Sequence, residues 1–286
     1  MKFTLIQAEK ANHDVAVMCR VLGVSRQGFY AWQNRAPSKR SCRDKSLTHQ
    51  IRSSFTESQG RYGSPRIYRD LQAQGCSTSR KRVARLMKQH GLQARRRRRF
   101  VRTTDSKHGF RIAPNRLARD FRPAGPNQAW AADITYVGTK QGWLYLAVVI
   151  DLYSRKVVGW AMERFIDRRL ALSALRMAIE ARQPAAGLVH HSDRGVQYAC
   201  GEYQRVLADA EIVASMSRKA DCWDNAVVES FFSTLKEELV YRYEFATAAD
   251  ARTAIFEYLE GFYNRRRRHS TLGYLSPLEY ERRIAN

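Results

Sequence analysis

Cysteine is scarce in this sequence of 286 residues, and badly spaced for chemistry. Five occur, at positions 19, 42, 76, 200 and 222, with no CxxC pair. An odd count without paired spacing argues against a zinc site or a disulfide framework, and for a reducing compartment. Long apolar runs are missing too. None approaches the roughly 18 residues a membrane span needs, and the opening MKFTLIQAEK turns charged too soon for a signal peptide. There is no glycine-rich phosphate loop and no internal repeat. Acidic residues are scarce in one half only. Residues 1–127 hold 29 Lys and Arg against 7 Asp and Glu, a net of +22, whereas residues 128–286 hold 21 against 20. Solubility does not require such segregation, so the front half is expected to grip a polyanion.

What is present suits folding. Hydrophobic residues make up 44% and aromatic residues 11% of the chain, enough for two or three domains. Residues 10–36 read as helix, turn at Gly23, helix, with Ser25 as a cap and Phe29, Tyr30 and Trp32 on the second helix. Residues 37–42 read as a linker. A second helical unit runs from about Asp44 to Leu92, and its last helix is crowded with Arg80, Lys81, Arg82, Arg85 and Lys88 around an apolar stripe of Val83, Leu86 and Met87. Such a helix suits a DNA groove. Arg95, Arg96, Arg97, Arg98 and Arg99 then form an unbroken block that repels itself until phosphate neutralises it.

From Gln128 the texture changes. WAADITYV, GWLYLAVVIDLYS and RKVVGWAM are apolar and β-branched, and short turns between them predict an antiparallel meander. RRLALSALRMAIEARQ has helical periodicity. GLVHHSD and EIVASMS are two further short strands, separated by a helix. DNAVVESFFSTLKEEL is a helix, with Asp224 expected as its cap. The fold class is therefore α/β, a mixed five-stranded sheet with helices on its faces, preceded by all-α helix-turn-helix units. The domain boundaries predicted are 1–36, 43–100, 101–124 as a basic linker, 125–240 as the core, and 241–286 as a C-terminal helix with a basic tail.

Three carboxylates stand where charge is costly or where ligands collect. Asp133 is mid-strand among Trp130, Ile134 and Tyr136, where an unpaired charge is expensive. Asp193 ends a strand, and Glu229 sits at the edge of a helix's apolar stripe. Lys236, two turns on, lies on almost the same line of that helix, and Asn225 is close by. Phosphodiester chemistry needs charge stabilisation and an activated oxygen nucleophile, which two divalent ions about 3.5–4 Å apart supply. Hard ions such as Mg²⁺, with Mn²⁺ as a substitute, take carboxylate oxygens, so the three acids are read as both catalytic and metal-binding. His191 is read as packing beside or orienting Asp193, and zinc is excluded for want of further ligands. Asp151, in DLYSR, reads as a turn residue.

Together the motifs PNQAWAADITYV, HSDRGVQY, DNAVVESFFSTLKEEL and YNRRRRHSTLGYLSP resemble the integrase-type transposases of bacterial two-frame insertion sequences, relatives of retroviral integrases. VLGVSRQGFYAW and RYGSPRIYRDL resemble the same family, so the likeness covers nearly the whole chain. It implies a ribonuclease-H-like core. It places the family's three metal-binding catalytic acids on Asp133, Asp193 and Glu229, and its basic residue two helical turns past the glutamate on Lys236. Ala132 departs from the pattern, though its side chain is expected to point away. The reaction implied is cleavage of a DNA strand at the element's end, then transfer of the freed 3′-OH to DNA. The partners implied are double-stranded DNA at the element ends and target, further copies of the chain on DNA, and an upstream-frame fusion partner. The place implied is the bacterial cytoplasm, at the nucleoid.

Overall fold

The structure is a computed structural model that describes residues 1–94, 112–218 and 222–283. The chain divides into two compact units, Met1–Gln93 and Ala94–Asn286. In the first, α1 (Lys2–Glu9), α2 (Val15–Val21) and α3 (Arg26–Gln33) close around Ile6, Cys19 and Phe29, none more than 2% exposed. Ser25 caps α3 as expected, accepting from the Gly28 N–H at 2.9 Å. Helix α1 was not expected from the sequence. It is held by Phe3 and Ile6, which pack against the core that Phe29 anchors.

The next three helices are α4 (Lys39–Glu57), α5 (Ser64–Ala73) and α6 (Arg80–Gln89), and they bury Leu47, Ile51, Ile67, Leu71, Val83 and Leu86. α4 begins inside the stretch read as a linker, because the Ser38 Oγ accepts from the Ser41 N–H at 3.1 Å and caps it. Pro65 opens α5, and Gly75 and Gly91 lie just beyond the ends of α5 and α6 with φ of +78° and +66°.

The second unit is built on a five-stranded sheet in the order β3-β2-β1-β4-β5. β1 (Ala129–Thr139), β2 (Gly142–Asp151) and β3 (Val157–Glu163) form the antiparallel meander. α7 (Arg168–Arg182) leads to β4 (Val189–Ser192), which runs parallel to β1. α8 (Val196–Ala199) and α9 (Gly201–Asp209) lead to β5 (Val213–Met216), parallel to β4. α7 lies so close to β3 that a Cβ at Gly159 would sit 2.1 Å from the Ala174 carbonyl oxygen. Trp130 and Ala132 of β1 point into this α7 layer with Leu172 and Leu175. Ala132 does point away from the Asp133 face, as expected.

The β4 ladder covers only Ala129–Ala132 of β1. Beyond it, α10 (Ala226–Glu238) takes the vacated edge. Asn225 at its N-cap donates from Nδ2 to the Ala132 carbonyl at 3.4 Å, and Phe245, past its far end, bridges to Thr139 and accepts from the Lys140 N–H at 3.0 Å. The β1 stretch from 132 to 139 spans about 23 Å. The 13 residues of α10 span about 20 Å at the usual helical rise. Helix and strand edge match in length.

α11 (Ala248–Phe256) continues as a π-helical stretch over Glu257–Tyr263, and α12 (Pro277–Arg282) follows. Glu238, the last residue of α10, accepts from Arg267 Nε at 2.9 Å and Nη2 at 2.8 Å, and from the Tyr258 hydroxyl at 2.9 Å. Glu281 forms a similar fork with Arg182 of α7, at 3.0 and 2.8 Å. The Asn264 side chain pairs with both backbone groups of Val157, at 3.0 Å each, and so closes the outer edge of β3. The segment read as a basic tail is therefore packed, with Arg267 buried.

Candidate active site and nucleic-acid interface

The site grows out of strand register. Ala132 of β1 is matched with Ser192 of β4, and the ladder stops there. Asp133 is the next residue of β1, and Asp193 is the first residue past the end of β4, so both acids follow the last matched pair of the ladder. Asp133 Oδ1 accepts from the Ile134 N–H at 2.7 Å and Asp193 Oδ1 from the Gly195 N–H at 2.8 Å. Gly195 is held tightly there: a Cβ on it would come within 2.9 Å of that same oxygen.

α10 brings the third acid. Val228, Phe231, Phe232 and Leu235 are buried, while Glu229 in the first turn is exposed. Lys236 is half-buried, with Nζ 4.9 Å from the centre of the Tyr136 ring on β1. The acids share one electrostatic environment. Burial raises the Asp133 carboxyl well above the usual range, and the negative charges of Asp193 and then Glu229 raise it further; the Ile134 N–H and Lys236 oppose them. Lys236 responds in kind: burial lowers its ammonium and the Asp133 charge pushes it back up. Among the described residues, no three His, Cys, Asp or Glu side chains gather closely enough to enclose a metal ion. Each aspartate has one oxygen turned to local backbone, and Glu229 is exposed. The donor chemistry still fits a hard divalent cation: carboxylate oxygens on three elements, with mutual repulsion that a cation relieves.

His191 is fully buried and tied to β5, with Asp224 rather than Asp193 as its neighbouring acid. Its Nδ1 lies 2.9 Å from Ser215 Oγ and its Nε2 3.1 Å from Ser217 Oγ. Ser215 Oγ accepts from the Arg116 and Leu117 N–H groups at 2.9 and 3.3 Å, so its proton goes to Nδ1, and Ser217 Oγ donates to the Ser192 carbonyl at 3.3 Å, so it accepts from a proton on Nε2. His190, on the other face, meets the Tyr203 hydroxyl at 3.1 Å. Burial lowers His190 to about 3, with His191 adding to the shift, and burial lowers His191 to about 4. Both are neutral strand locks at physiological pH.

Asp224 corrects the sequence reading. It does not cap α10, whose N-cap is Asn225. It is fully buried and bonded to Arg218 (Nη2 at 2.9 Å and the N–H at 2.8 Å), Arg119 at 3.1 Å and Asn115 at 2.8 Å. The Arg218 hydrogen bond, first among these, holds its carboxyl far below the usual range. Asp224 thereby joins the chain entering the sheet to the turn that launches α10. Asp151 is the turn residue the sequence implied: it is matched with Trp130 and accepts from the Tyr153 and Ser154 N–H groups at 2.9 and 3.0 Å.

On the first unit, Arg80 and Lys81 are exposed at the start of α6. Arg82 and Arg85 are not simply solvated. Asp44 of α4 accepts from Arg82 Nε at 2.7 Å and from Arg85 Nη2 at 2.8 Å. With Arg40 and Arg43 of α4, and Lys81, they line a cleft of about 560 Å³. A lining of five cations makes this cleft suited to phosphate groups. Arg95–Arg99 lie outside the described residues.

Comparison with known proteins fits this arrangement. Residues 42–100 match the HTH-like domain family, and residues 123–222 and 210–277 match two integrase core domain families. The InsF transposase for insertion sequence IS3A of Escherichia coli is 43% identical over 284 residues, 98% of each chain. The chain belongs to the InsF transposase family. An uncharacterised 31 kDa protein of insertion element IS600 from Shigella sonnei is also 43% identical, over 92% of this chain and 97% of its own. A simian T-cell lymphotropic virus intasome chain is 18% identical over 81% of this chain and 74% of its own, with a TM-score of 0.48. In this transposase-family chain Asp133 and Asp193 fall in the first integrase core segment and Glu229 and Lys236 in the second. The sheet is the ribonuclease-H-like arrangement: three antiparallel strands, then two parallel ones on the far side of β1. Among the described residues no helix is long and apolar enough to cross a membrane.

Proposed function

We propose that this chain is a transposase that cuts one DNA strand at an insertion-sequence end and joins the freed 3′-OH to another phosphodiester. Asp133, Asp193 and Glu229 are the catalytic acids and the ligands of Mg²⁺, two ions by the chemistry of such sites, with Mn²⁺ as a substitute. The observation that carries this reading is the convergence of Asp133, just past the end of the β1–β4 ladder, with Asp193 at the end of β4 and Glu229 on α10, close enough that the charges of Asp193 and Glu229, after burial, raise the Asp133 carboxyl. When bound, the metal supplies Lewis-acid stabilisation of charge building on the phosphodiester.

The protein's own groups do the rest. β1 carries Asp133, β4 ends just before Asp193, and α10 carries Glu229 in its first turn, so that metal would draw the three acids together. His191, through Ser215 and Ser217, fixes the end of β4, and Asn225 fixes the start of α10 on Ala132. Lys236 pairs with a phosphate beside the one attacked. Water attacks the phosphodiester and displaces its 3′-oxygen, leaving a 3′-OH and a 5′-phosphate; that hydroxyl then attacks a second phosphodiester in line and displaces its 3′-oxygen as the leaving group. The two steps share one site, with no covalent enzyme intermediate.

Residues 1–36 and 43–100 hold DNA, with 101–124 as a basic linker, 125–240 as catalytic core and 241–286 as its C-terminal extension. The partners are element ends and target DNA, further copies of the chain on that DNA, and the upstream-frame product as fusion partner; the place is the bacterial nucleoid. The test is a labelled duplex carrying the DNA end that flanks the gene, incubated with the chain, the upstream-frame product and Mg²⁺. Nicked and joined strands are expected with Mg²⁺ or Mn²⁺ and not with EDTA. Equal product in EDTA, or none with either metal, defeats the reading.

A further inference from the structure

The arginine run at 265–268 has no part in the chemistry above, yet one of its members reaches the helix that carries Glu229. Arg265 and Arg266 are exposed, whereas Arg267 is buried against the far end of α10. Its Nε and Nη2 donate to the two oxygens of Glu238 at 2.9 and 2.8 Å, and the Tyr258 hydroxyl donates to the same carboxylate at 2.9 Å. The guanidinium lies 5.7 Å from the centre of the Tyr263 ring, which meets Phe231 of α10 edge-on at 4.8 Å. Tyr258 and Tyr263 both belong to the π-helical stretch Glu257–Tyr263. Such turns are rare and collect at functional sites.

The side chains of Glu238 and Arg267 are 9% and 6% exposed. Burial opposes the Arg267 charge, but the Glu238 carboxylate outweighs it and holds the guanidinium ionised. A buried ion pair gives little net stability over an apolar pair of the same volume. What it supplies is direction. α10 rests on Val228, Phe231, Phe232 and Leu235, and apolar contact by itself is non-directional. At 100° per residue, Glu238 stands about 180° from Glu229 around the helix axis, and Lys236 about 20° from it. Glu238 therefore borders one edge of the apolar stripe, and Glu229 and Lys236 border the other. The near end of α10 is held by a neutral bond, from Asn225 to the Ala132 carbonyl at 3.4 Å. The charged fork at the far end sets the turn of the helix. The lever is long enough to matter: a group about 6 Å from the axis moves roughly 2 Å for 20° of rotation. Mg²⁺ holds its ligands at about 2.0–2.1 Å in a near-ideal octahedron, so a shift of that size removes a ligand.

We infer that the Glu238–Arg267 pair, with the Tyr258 hydroxyl, positions the Glu229 carboxylate: it locks α10 against rotation and so sets the affinity of the three acids for a divalent cation. This rests on the reading of Asp133, Asp193 and Glu229 as metal ligands. It gives the buried arginine of the C-terminal extension a task in a reaction it does not touch.

The test replaces the polar trio in the full chain by apolar groups of similar volume, Glu238→Leu with Tyr258→Phe and Arg267→Met. The thermal midpoint should stay at or above that of wild type, because no buried charge is left unpaired. Binding of the end duplex in EDTA should be unchanged. Mn²⁺ affinity, read from the electron paramagnetic resonance signal of free Mn²⁺, should fall about 10–100-fold, the scale of losing a group that orients a metal ligand. In nicking assays with the upstream-frame product, the Mg²⁺ concentration for half-maximal rate should rise by the same factor, with the rate recovering at saturating Mg²⁺. Arg267→Lys keeps the charge but not the fork, and should shift the metal dependence the same way by a smaller factor. A stable triple variant with wild-type metal dependence would overturn the inference and leave the pair to packing alone. An Arg267→Lys chain that loses stability with no change in Mn²⁺ affinity would overturn it as well. A wild-type chain that cuts no duplex and binds Mn²⁺ no better than Asp193→Asn would overturn the functional reading and the inference together.

Discussion

Asp133 of β1 and Asp193, the first residue past β4, each follow the Ala132–Ser192 pair that ends the parallel ladder. Strand register thus forces two like charges together, and α10 adds Glu229. An arrangement that costs the protein stability without a ligand is the signature of a site kept for function.

That cost has a measurable sign. Asp133 has its carboxyl raised above the unfolded value, so its ionisation opposes folding above that value and the penalty grows with pH up to the folded value. Asp133→Asn should therefore stabilise the metal-free chain near pH 7 by about 1–2 kcal/mol, in the range of other relieved sites, and by little at pH 4. Urea unfolding at the two pH values checks it. A variant less stable than wild type at pH 7 would contradict the electrostatic account.

Asp224 should behave in the opposite way. Its carboxyl is held down by Arg218 and Arg119, so its contribution is present above the unfolded carboxylate value and is lost as pH falls through its lowered folded value. Asp224→Ala should cost roughly 2–3 kcal/mol, below the 3–5 of a fully buried pair, because Arg119 and Arg218 remain 45% and 54% exposed. Thermal unfolding of the variant is the measurement, and a shift under 1 °C would mean the hub is ornamental.

The histidine pair predicts acid sensitivity between pH 6.5 and about 4. In that window the unfolded chain binds protons that buried His190 and His191, lowered to about 3 and 4, refuse. Stability should fall steadily as pH drops through it, on the order of 3 kcal/mol for His191 alone at 1.36 kcal/mol per unit. Nitrogen NMR should find His191 neutral at pH 5.5 with its proton on Nε2; a charged ring at that pH would refute the network.

On the first unit, Asp44 competes with DNA phosphate for Arg82 and Arg85. Asp44→Asn should tighten binding to any duplex and steepen the slope of log affinity against log salt by about 0.9 per cation released to phosphate. Replacing Arg95–Arg99 with alanine should flatten the same slope. An Asp44→Asn slope equal to wild type would mean the cleft carries no phosphate.

Much of this was legible in the sequence because local pattern encodes it. Apolar, β-branched runs marked all five strands, and helical periodicity placed Glu229 and Lys236 on one line of α10. Contacts between distant residues were not legible. Nothing local in Asp224 distinguishes a helix cap from a partner of Asn115, which lies 109 residues away. Arg82 and Arg85 look solvated until the fold brings Asp44, 38 and 41 residues earlier, beside them. The short β4 ladder, which frees the edge of β1 for α10, follows from three-dimensional pairing rather than from composition. α1 was missed because its apolar residues Phe3, Leu5, Ile6 and Ala8 do not form one helical stripe, and its stability comes from packing on Phe29.

The central claim is that Asp133, Asp193 and Glu229 act as one site on DNA. The most direct measurement compares wild type with Glu229→Gln in Mg²⁺-dependent nicking and joining of the labelled end duplex, with binding of the same duplex measured alongside. Glu229 is exposed, so the substitution should leave the fold and DNA affinity unchanged. The account predicts that product falls at least about a thousandfold, the scale of losing a group that acts in the transition state. Wild-type rates from Glu229→Gln would contradict it.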